Sequence, residues 1–118
     1  MKKTVLVVDD EGDVRKSVKM ILETNGFKVV EAKDGDDCIK KVKNKNVDLV
    51  LLDIMMPGTP VRDVIKYITD VKIIFMSVVR ISDARRQGLT TQGNVVDFLQ
   101  KPFNVSDLVE RVKINIED

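Results

Sequence analysis

The chain of 118 residues has no histidine and a single cysteine, Cys38. Without histidine, catalysis by a neutral imidazole and zinc sites with histidine ligands are both excluded. One cysteine cannot form an internal disulfide, which is typical of a reducing compartment. No apolar run is long enough to span a bilayer, and Met1–Thr4 leads directly into an apolar segment rather than a signal peptide. We therefore expect a cytoplasmic protein that makes no membrane contact.

The chain also lacks an excess of positive or negative charge. It has 20 Lys and Arg residues and 19 Asp and Glu residues, which gives a formal net charge of +1. This balance gives no support for direct nucleic acid binding by the whole surface. A chain of this length with 43% hydrophobic residues can bury a core without disulfides or a structural metal. We expect residues 1–118 to form one domain.

Short apolar runs alternate five times with segments of helical periodicity. The clearest run, Val47–Leu52, is nearly continuous and indicates a strand buried on both faces. The other predicted strands are Thr4–Val8, Phe27–Glu31, Val71–Met76 and Val95–Gln100. This alternation predicts right-handed crossovers and a parallel sheet with helices on both faces, that is, a three-layer α/β domain.

The sequence signals are clear for the third predicted helix and weak for the fourth. Thr59–Pro60 predicts the start of the third helix, with a capping hydroxyl followed by proline in the first turn. The apolar stripe of that helix is Val61, Val64, Ile65 and Ile68. The fourth helix, predicted from Arg80 to Asn94, is interrupted by Gly88, which costs about 1 kcal/mol relative to alanine. Its residues to bury are Ile81, Ala84 and Leu89.

Four of the five predicted strands end on a polar or charged residue. These are Asp9 and Asp10 after the first strand, Asp53 after the third, Ser77 after the fourth and Lys101 after the fifth. Ligands of open parallel sheets bind at the carboxyl ends of the strands, so we expect these groups to share one rim. Taken singly, Asp9 and Asp10 could lead into the first helix, and Asp53 could bond its own Pro-Gly turn. Together they indicate a site.

Three carboxylates beside one lysine need a proton or a cation, because two like charges about 4 Å apart repel by roughly 4 kcal/mol at an effective dielectric near 20. All-oxygen ligands with open positions suit Mg²⁺, which bridges carboxylate to phosphate. A carboxylate, a divalent cation, a hydroxyl and a lysine are also the groups that phosphoryl transfer to an aspartate requires. Asp53 would attack, Lys101 would neutralise the phosphoryl oxygens, and Ser77 would donate a hydrogen bond to one of them.

Over its whole length the chain resembles the receiver domain of two-component response regulators, the CheY-like family. The motifs that carry the resemblance are Val7–Asp10, Asp53–Pro57, Ser77 and Asp97–Phe103. The resemblance implies a flavodoxin-like fold with strand order 2-1-3-4-5. It also implies that Asp53 accepts a phosphoryl group from a sensor histidine kinase or a phosphotransfer protein. Such a domain is no enzyme beyond catalysing its own aspartyl phosphorylation and dephosphorylation.

The resemblance assigns further roles at this rim. Asp10, Asp53 and the backbone carbonyl of Met55 would ligate Mg²⁺ or Mn²⁺, and Asp9 would act on the metal largely through water. Ser77 and Phe98 would form a coupled switch pair, and Lys101 would pair with the phosphoryl group. The Lys101–Pro102 bond resembles the family's cis peptide. The surface of the fourth helix, fifth strand and fifth helix would contact an unknown output protein.

Three other functions compete with this one. A mononucleotide binder would need a glycine- or hydroxyl-rich loop where the acidic Asp9–Glu11 stands. An aspartyl phosphatase would need a second acid at the position of Met55. A receiver-like docking module that is never phosphorylated is the alternative that keeps the fold, although every acceptor-site residue is present.

Overall fold

The computed structural model describes residues 2–116, which form one parallel sheet with the order β2-β1-β3-β4-β5. The strands are β1 Thr4–Val8, β2 Lys28–Ala32, β3 Leu49–Leu52, β4 Lys72–Ser77 and β5 Val95–Gln100. The helices are α1 Gly12–Thr24, α2 Gly35–Asn44, α3 Val61–Ile65, α4 Ile81–Arg86 and α5 Val105–Ile116. The predicted flavodoxin-like order is confirmed, and each strand lies within two residues of its predicted bounds.

The sheet separates two apolar layers because successive side chains of a strand point to opposite faces. In β1, Leu6 and Val8 pack with α2, α3 and α4, whereas Val5 and Val7 pack with α1 and α5. Every residue of the central strand β3 is fully buried, as its continuous apolar run predicts. The ends of β1 and β3 are therefore held from both faces of the sheet.

The third helix begins and ends differently from its prediction. Its N-cap is Pro60, and the Thr59 hydroxyl makes no capping bond but donates to Asp36 of α2 at 2.9 Å. The helix ends at Ile65, so Ile68 is buried from a turn beyond it. At the end of the helix, the carbonyl of Ile65 accepts from the Ile68 amide and also from the side-chain amide of Gln92. The apolar stripe therefore predicted burial correctly and helix length wrongly.

The fourth helix is much shorter than the predicted range of 80–94, since α4 covers only Ile81–Arg86. Gly88 follows it at a φ of 76°, a left-handed conformation that ends helices. Ala84 and Leu89 are buried as predicted, but Ile81 is 39% exposed. With one buried residue of its own, α4 is the helix least anchored to the sheet.

Among residues 2–116, no helix has the length and apolar character that crossing a bilayer requires.

Replacement of Gly35 by alanine should destabilise the protein. A Cβ at Gly35 would overlap Cγ2 of Val64, where α2 and α3 approach each other closely. We expect Gly35→Ala to lower the free energy of unfolding by about 1–3 kcal/mol, because β-branched Val64 has little rotamer freedom to move away. Urea unfolding measures this change. Gly93→Ala is the matched control, since no atom lies within 4 Å of its added Cβ. An equal loss in both variants would contradict the proposed overlap.

Candidate functional site

The backbone at the carboxyl ends of β1 and β3 places two aspartates side by side. Val8 and Leu52 are paired across these strands, and the chain continues the ladder by one residue on each. The Asp53 amide donates to the carbonyl of Val8 at 3.1 Å, and the Asp9 amide donates to Ala32 of β2 at 3.2 Å. Hydrogen bonds that continue the sheet therefore fix the backbone positions of both aspartates.

Three carboxylates meet at this rim. One oxygen each of Asp9, Asp10 and Asp53 lies within 4.8 Å of the others. Asp9 is fully buried and Asp53 is 4% exposed, whereas Asp10 faces solvent. Among the described residues, the Asp10 carboxylate has no hydrogen-bond or ion-pair partner. The cluster thus has two buried carboxylates and one at its open side.

Lys101 bridges the two buried carboxylates. Its ammonium Nζ lies 2.7 Å from Oδ2 of Asp9 and 3.2 Å from Oδ2 of Asp53. The Lys101 amide donates to the carbonyl of Ser77 at 2.8 Å, which ties the end of β5 to the end of β4. The Lys101–Pro102 peptide bond is cis. A lysine from the opposite end of the sequence thus joins the aspartates of β1 and β3.

The charges around Lys101 change its acidity. Burial of the ammonium acts to lower its pKa, but the hydrogen bond to Asp9 and the charges of Asp53 and Asp9 outweigh burial. The pKa of Lys101 is therefore raised above its ordinary value, and the side chain stays protonated at neutral pH.

Backbone amides bind the remaining oxygens of the buried pair. Glu11 N–H donates to Oδ1 of Asp9 at 2.9 Å, and Met55 N–H donates to Oδ1 of Asp53 at 3.0 Å. Each buried carboxylate is thus held in one orientation by an amide and by Lys101. Such fixed oxygens cost little reorganisation when a ligand or a reacting group arrives.

Ser77 and Phe98 lie on adjacent strands close to this rim. Ser77 is fully buried, and its hydroxyl oxygen accepts a hydrogen bond from the Val79 amide at 3.3 Å. Phe98 is also buried and packs edge-on against Phe75, with ring centroids 6.5 Å apart and an interplanar angle of 64°. Both predicted switch residues therefore face the interior in this structure.

The donor set fits a hard divalent cation. Its oxygen atoms come from carboxylates, and Mg²⁺ and Mn²⁺ prefer such ligands. If all three carboxylates are ionised, their three negative charges exceed the single positive charge of Lys101 by two. A divalent cation would balance that excess, and the exposed side of the cluster at Asp10 leaves access for it.

Two side chains to which the sequence assigned no role bond backbone carbonyls at or next to the site residues. Arg15 donates from Nη1 to the backbone carbonyl of Asp9 at 2.7 Å, and Gln100 donates to the carbonyl of Val78 at 2.8 Å. For Arg15, its place in the first turn of the helix that follows Asp9 and Asp10 was a usable signal. For Gln100, the contact depends on the loop after Ser77, and no sequence pattern indicates it.

Comparison with known proteins agrees with this geometry. The model of the response regulator receiver domain family matches residues 5–113. The chain belongs to this family. The expected resemblance to response regulator receivers is thereby confirmed, and the five-stranded fold is the one that the family shares.

Relatives and solved structures place the chain among response regulators. It is 39% identical to the transcriptional regulatory protein ResD of Bacillus subtilis and 34% identical to the phosphate regulon transcriptional regulatory protein PhoB of Escherichia coli. These matches cover 92% and 96% of this chain, which spans about half the length of either relative, 46% and 51%. The response regulator TrrA of Thermotoga maritima, solved in complex with Mg²⁺-BeF, superposes with a TM-score of 0.84. It shares 34% identity over 96% of this chain and 98% of its own.

Replacement of Asp10 by asparagine should stabilise the metal-free receiver. It removes one of three mutually repelling carboxylates, and we expect a gain of about 1 kcal/mol in the free energy of unfolding, small because Asp10 is exposed. Urea unfolding in EDTA and in saturating MgCl₂ measures it. Added Mg²⁺ should stabilise the parent more than the variant, since a ligand stabilises the state that binds it. Asp70→Asn, an exposed acid before β4, is the control and should change neither value.

Replacement of Lys101 by methionine should have the opposite effect. It leaves two buried carboxylates without their shared cation, and we expect a loss of about 3 kcal/mol in the metal-free protein at neutral pH. Because the folded-state pKa of Lys101 is raised, its stabilisation is present below the unfolded pKa and is lost as the pH rises through the folded pKa. On the alkaline side, the difference between parent and variant should therefore begin to close only above about pH 10.5, the ordinary lysine value.

Urea midpoints across a pH series measure that difference. Lys72→Met is the control, because the Lys72 ammonium donates to the carbonyl of Asn115 rather than to a carboxylate. We expect the control to lose about 1 kcal/mol. A Lys101→Met variant that loses no more than this control would show that the bridge does not stabilise the fold.

Proposed function

We propose that this receiver domain takes a phosphoryl group onto Asp53 in a reaction that depends on Mg²⁺ or Mn²⁺. The observation that carries the proposal is the meeting of three carboxylates with Lys101 at the carboxyl ends of β1, β3 and β5. Family membership supports it, and so does the TrrA complex with Mg²⁺-BeF, to which this chain is similar over nearly its full length.

Asp53 is the proposed nucleophile because its carboxylate is buried, oriented and accessible from the Asp10 side. One carboxylate oxygen of Asp53 forms a bond to phosphorus while the bond from phosphorus to the donor's leaving group breaks. The Met55 amide holds the other oxygen, which keeps the attacking group in a fixed orientation. Asp9 is held by an equivalent pair of bonds but is fully buried, whereas Asp53 keeps 4% exposure, so Asp53 is the carboxylate that a phosphoryl donor can reach.

Lys101 neutralises charge in this reaction. Its ammonium already lies 3.2 Å from Oδ2 of Asp53, and a phosphoryl oxygen attached there would come within its reach. A divalent cation bound by Asp10, Asp53 and the Met55 carbonyl, with Asp9 acting mainly through water, would supply further neutralisation of the phosphoryl oxygens. These ligand assignments follow the family resemblance.

The switch is proposed to start at Ser77. Its hydroxyl would donate to a phosphoryl oxygen on Asp53, and the β4–α4 loop that bonds this hydroxyl through Val79 would follow. Phe98 would move with that loop. It lies on β5, next to the strand β4 that carries Ser77, and its ring packs against Phe75 of β4. The α4-β5-α5 surface would then change, because α4 has only Ala84 buried to hold it in place.

We propose a sensor histidine kinase or a phosphotransfer protein as the phosphoryl donor, and a protein rather than nucleic acid as the direct contact of this domain. The near-neutral charge of +1 supports the second point. ResD and PhoB are named as transcriptional regulators, and this chain matches about half of each. The proposed role for residues 1–118 is that of a single receiver domain, with no enzymatic activity on other substrates.

Phosphorylation of Asp53 can be tested without a kinase. We expect incubation with acetyl phosphate and MgCl₂ to add the mass of one phosphoryl group to the intact protein, because the site supplies its own nucleophile and charge neutralisation. Asp53→Asn should abolish this gain, and EDTA should prevent it in the parent. Asp48→Asn is the matched control, an exposed acid next to β3 that should phosphorylate like the parent. No gain in the parent, or an equal gain in Asp53→Asn, would favour the docking-module alternative.

A further inference from the structure

Asp9 is held at every polar atom that it has. Its amide donates to Ala32, Oδ1 accepts from the Glu11 amide, and Oδ2 accepts from Lys101. The remaining group, the backbone carbonyl, accepts from Nη1 of Arg15 at 2.7 Å. Two side chains therefore fix Asp9, and of these only Lys101 belongs to the predicted site.

The Asp9 carbonyl controls more than Asp9 itself. The peptide that joins Asp9 to Asp10 is planar, so a bond to this carbonyl fixes the plane from which Asp10 continues. The Asp10 carboxylate has no partner of its own among the described residues, and Glu11 makes no side-chain capping bond to α1. In the short connection between β1 and α1, the Asp9 carboxylate bonds the Glu11 amide, but the side chain of Asp10 itself is held by no bond among the described residues.

The Arg15 side chain holds this connection through the Asp9 carbonyl. It lies in the first turn of α1, its side chain is 17% exposed, and its Nε donates to Oε1 of Glu31 at 3.0 Å. Glu31 stands on β2 opposite Val7 of β1, close to the end of the strand that carries Asp9. The planar guanidinium therefore spans from a strand carboxylate to the Asp9 carbonyl, a two-pronged geometry that lysine cannot reproduce.

We propose that Arg15 is a positioning residue of the cation site, which it orients through the Asp9 carbonyl and its ion pair with Glu31. The inference rests on the proposed function, because it gives Arg15 a role toward the cation bound by Asp10 and Asp53. Arg15 itself contributes no metal ligand. Its effect on binding is to keep the Asp9–Asp10 peptide in the orientation that lets Asp10 face the shared cation.

The experiment measures cation affinity directly. Free Mn²⁺ is counted by electron paramagnetic resonance in titrations of the unphosphorylated protein, and competition with MgCl₂ gives the Mg²⁺ affinity. We expect Arg15→Gln to weaken both affinities about tenfold, the usual effect of removing a residue that orients a metal ligand. Arg15→Lys should lose most of the same affinity, because one ammonium cannot serve the carbonyl and Glu31 with the guanidinium geometry.

Arg111→Gln is the matched control. The Arg111 guanidinium donates to Oδ1 of Asp97 at 2.6 Å, so it also joins a helix, α5, to an adjacent strand, β5. Urea unfolding of each variant reports the loss of stability that either ion pair causes. A structural role alone would lower stability in Arg111→Gln and Arg15→Gln while leaving the Mn²⁺ and Mg²⁺ affinities at the parent values.

The outcomes separate the two proposals. A parent that binds neither Mn²⁺ nor Mg²⁺ would overturn the proposed function itself. A parent that binds, with Arg15→Gln and Arg15→Lys within about twofold of its affinity, would overturn only the role of Arg15. Equal weakening in Arg111→Gln would overturn it as well. If Arg15→Gln does not fold, Arg15→Lys decides the question on the same criterion.

Discussion

The contact on which this receiver depends is the Lys101 ammonium, shared between the buried carboxylates of Asp9 and Asp53. Without that positive charge, two carboxylates removed from water would repel each other and lose their hydration. The lysine comes from the end of β5, far along the chain from β1, so folding of the whole sheet is needed to assemble the pair. The contact therefore couples the acidic site to the complete fold.

The apolar core is what permits so much negative charge at one rim. The buried residues of β1 and β3 pack on both faces of the sheet, and each fully buried aliphatic side chain stabilises the fold by roughly 1.5–3 kcal/mol. That packing stabilisation opposes a repulsion between carboxylates of a few kcal/mol. The site can thus remain short of positive charge, which is the condition for binding a divalent cation.

The third and fourth helices are the two elements whose lengths differ from the sequence prediction. The periodicity there identified the buried residues Val64, Ala84 and Leu89 correctly, because burial follows hydrophobicity. Helix length depended on contacts that arise only after folding. Gln92 reaches back to the carbonyl of Ile65, and the Thr59 hydroxyl binds α2 instead of capping α3.

The sequence by itself determined the class of fold and the candidate rim, because strand runs that end on Asp9, Asp53, Ser77 and Lys101 can meet only at the carboxyl edge of a parallel sheet. The tertiary structure alone decided how those groups share their bonds. It places Lys101 between two carboxylates, leaves Asp10 exposed, and brings Arg15 onto the Asp9 carbonyl. Such choices depend on distances between side chains from separate strands and helices, and a one-dimensional pattern contains no such distances.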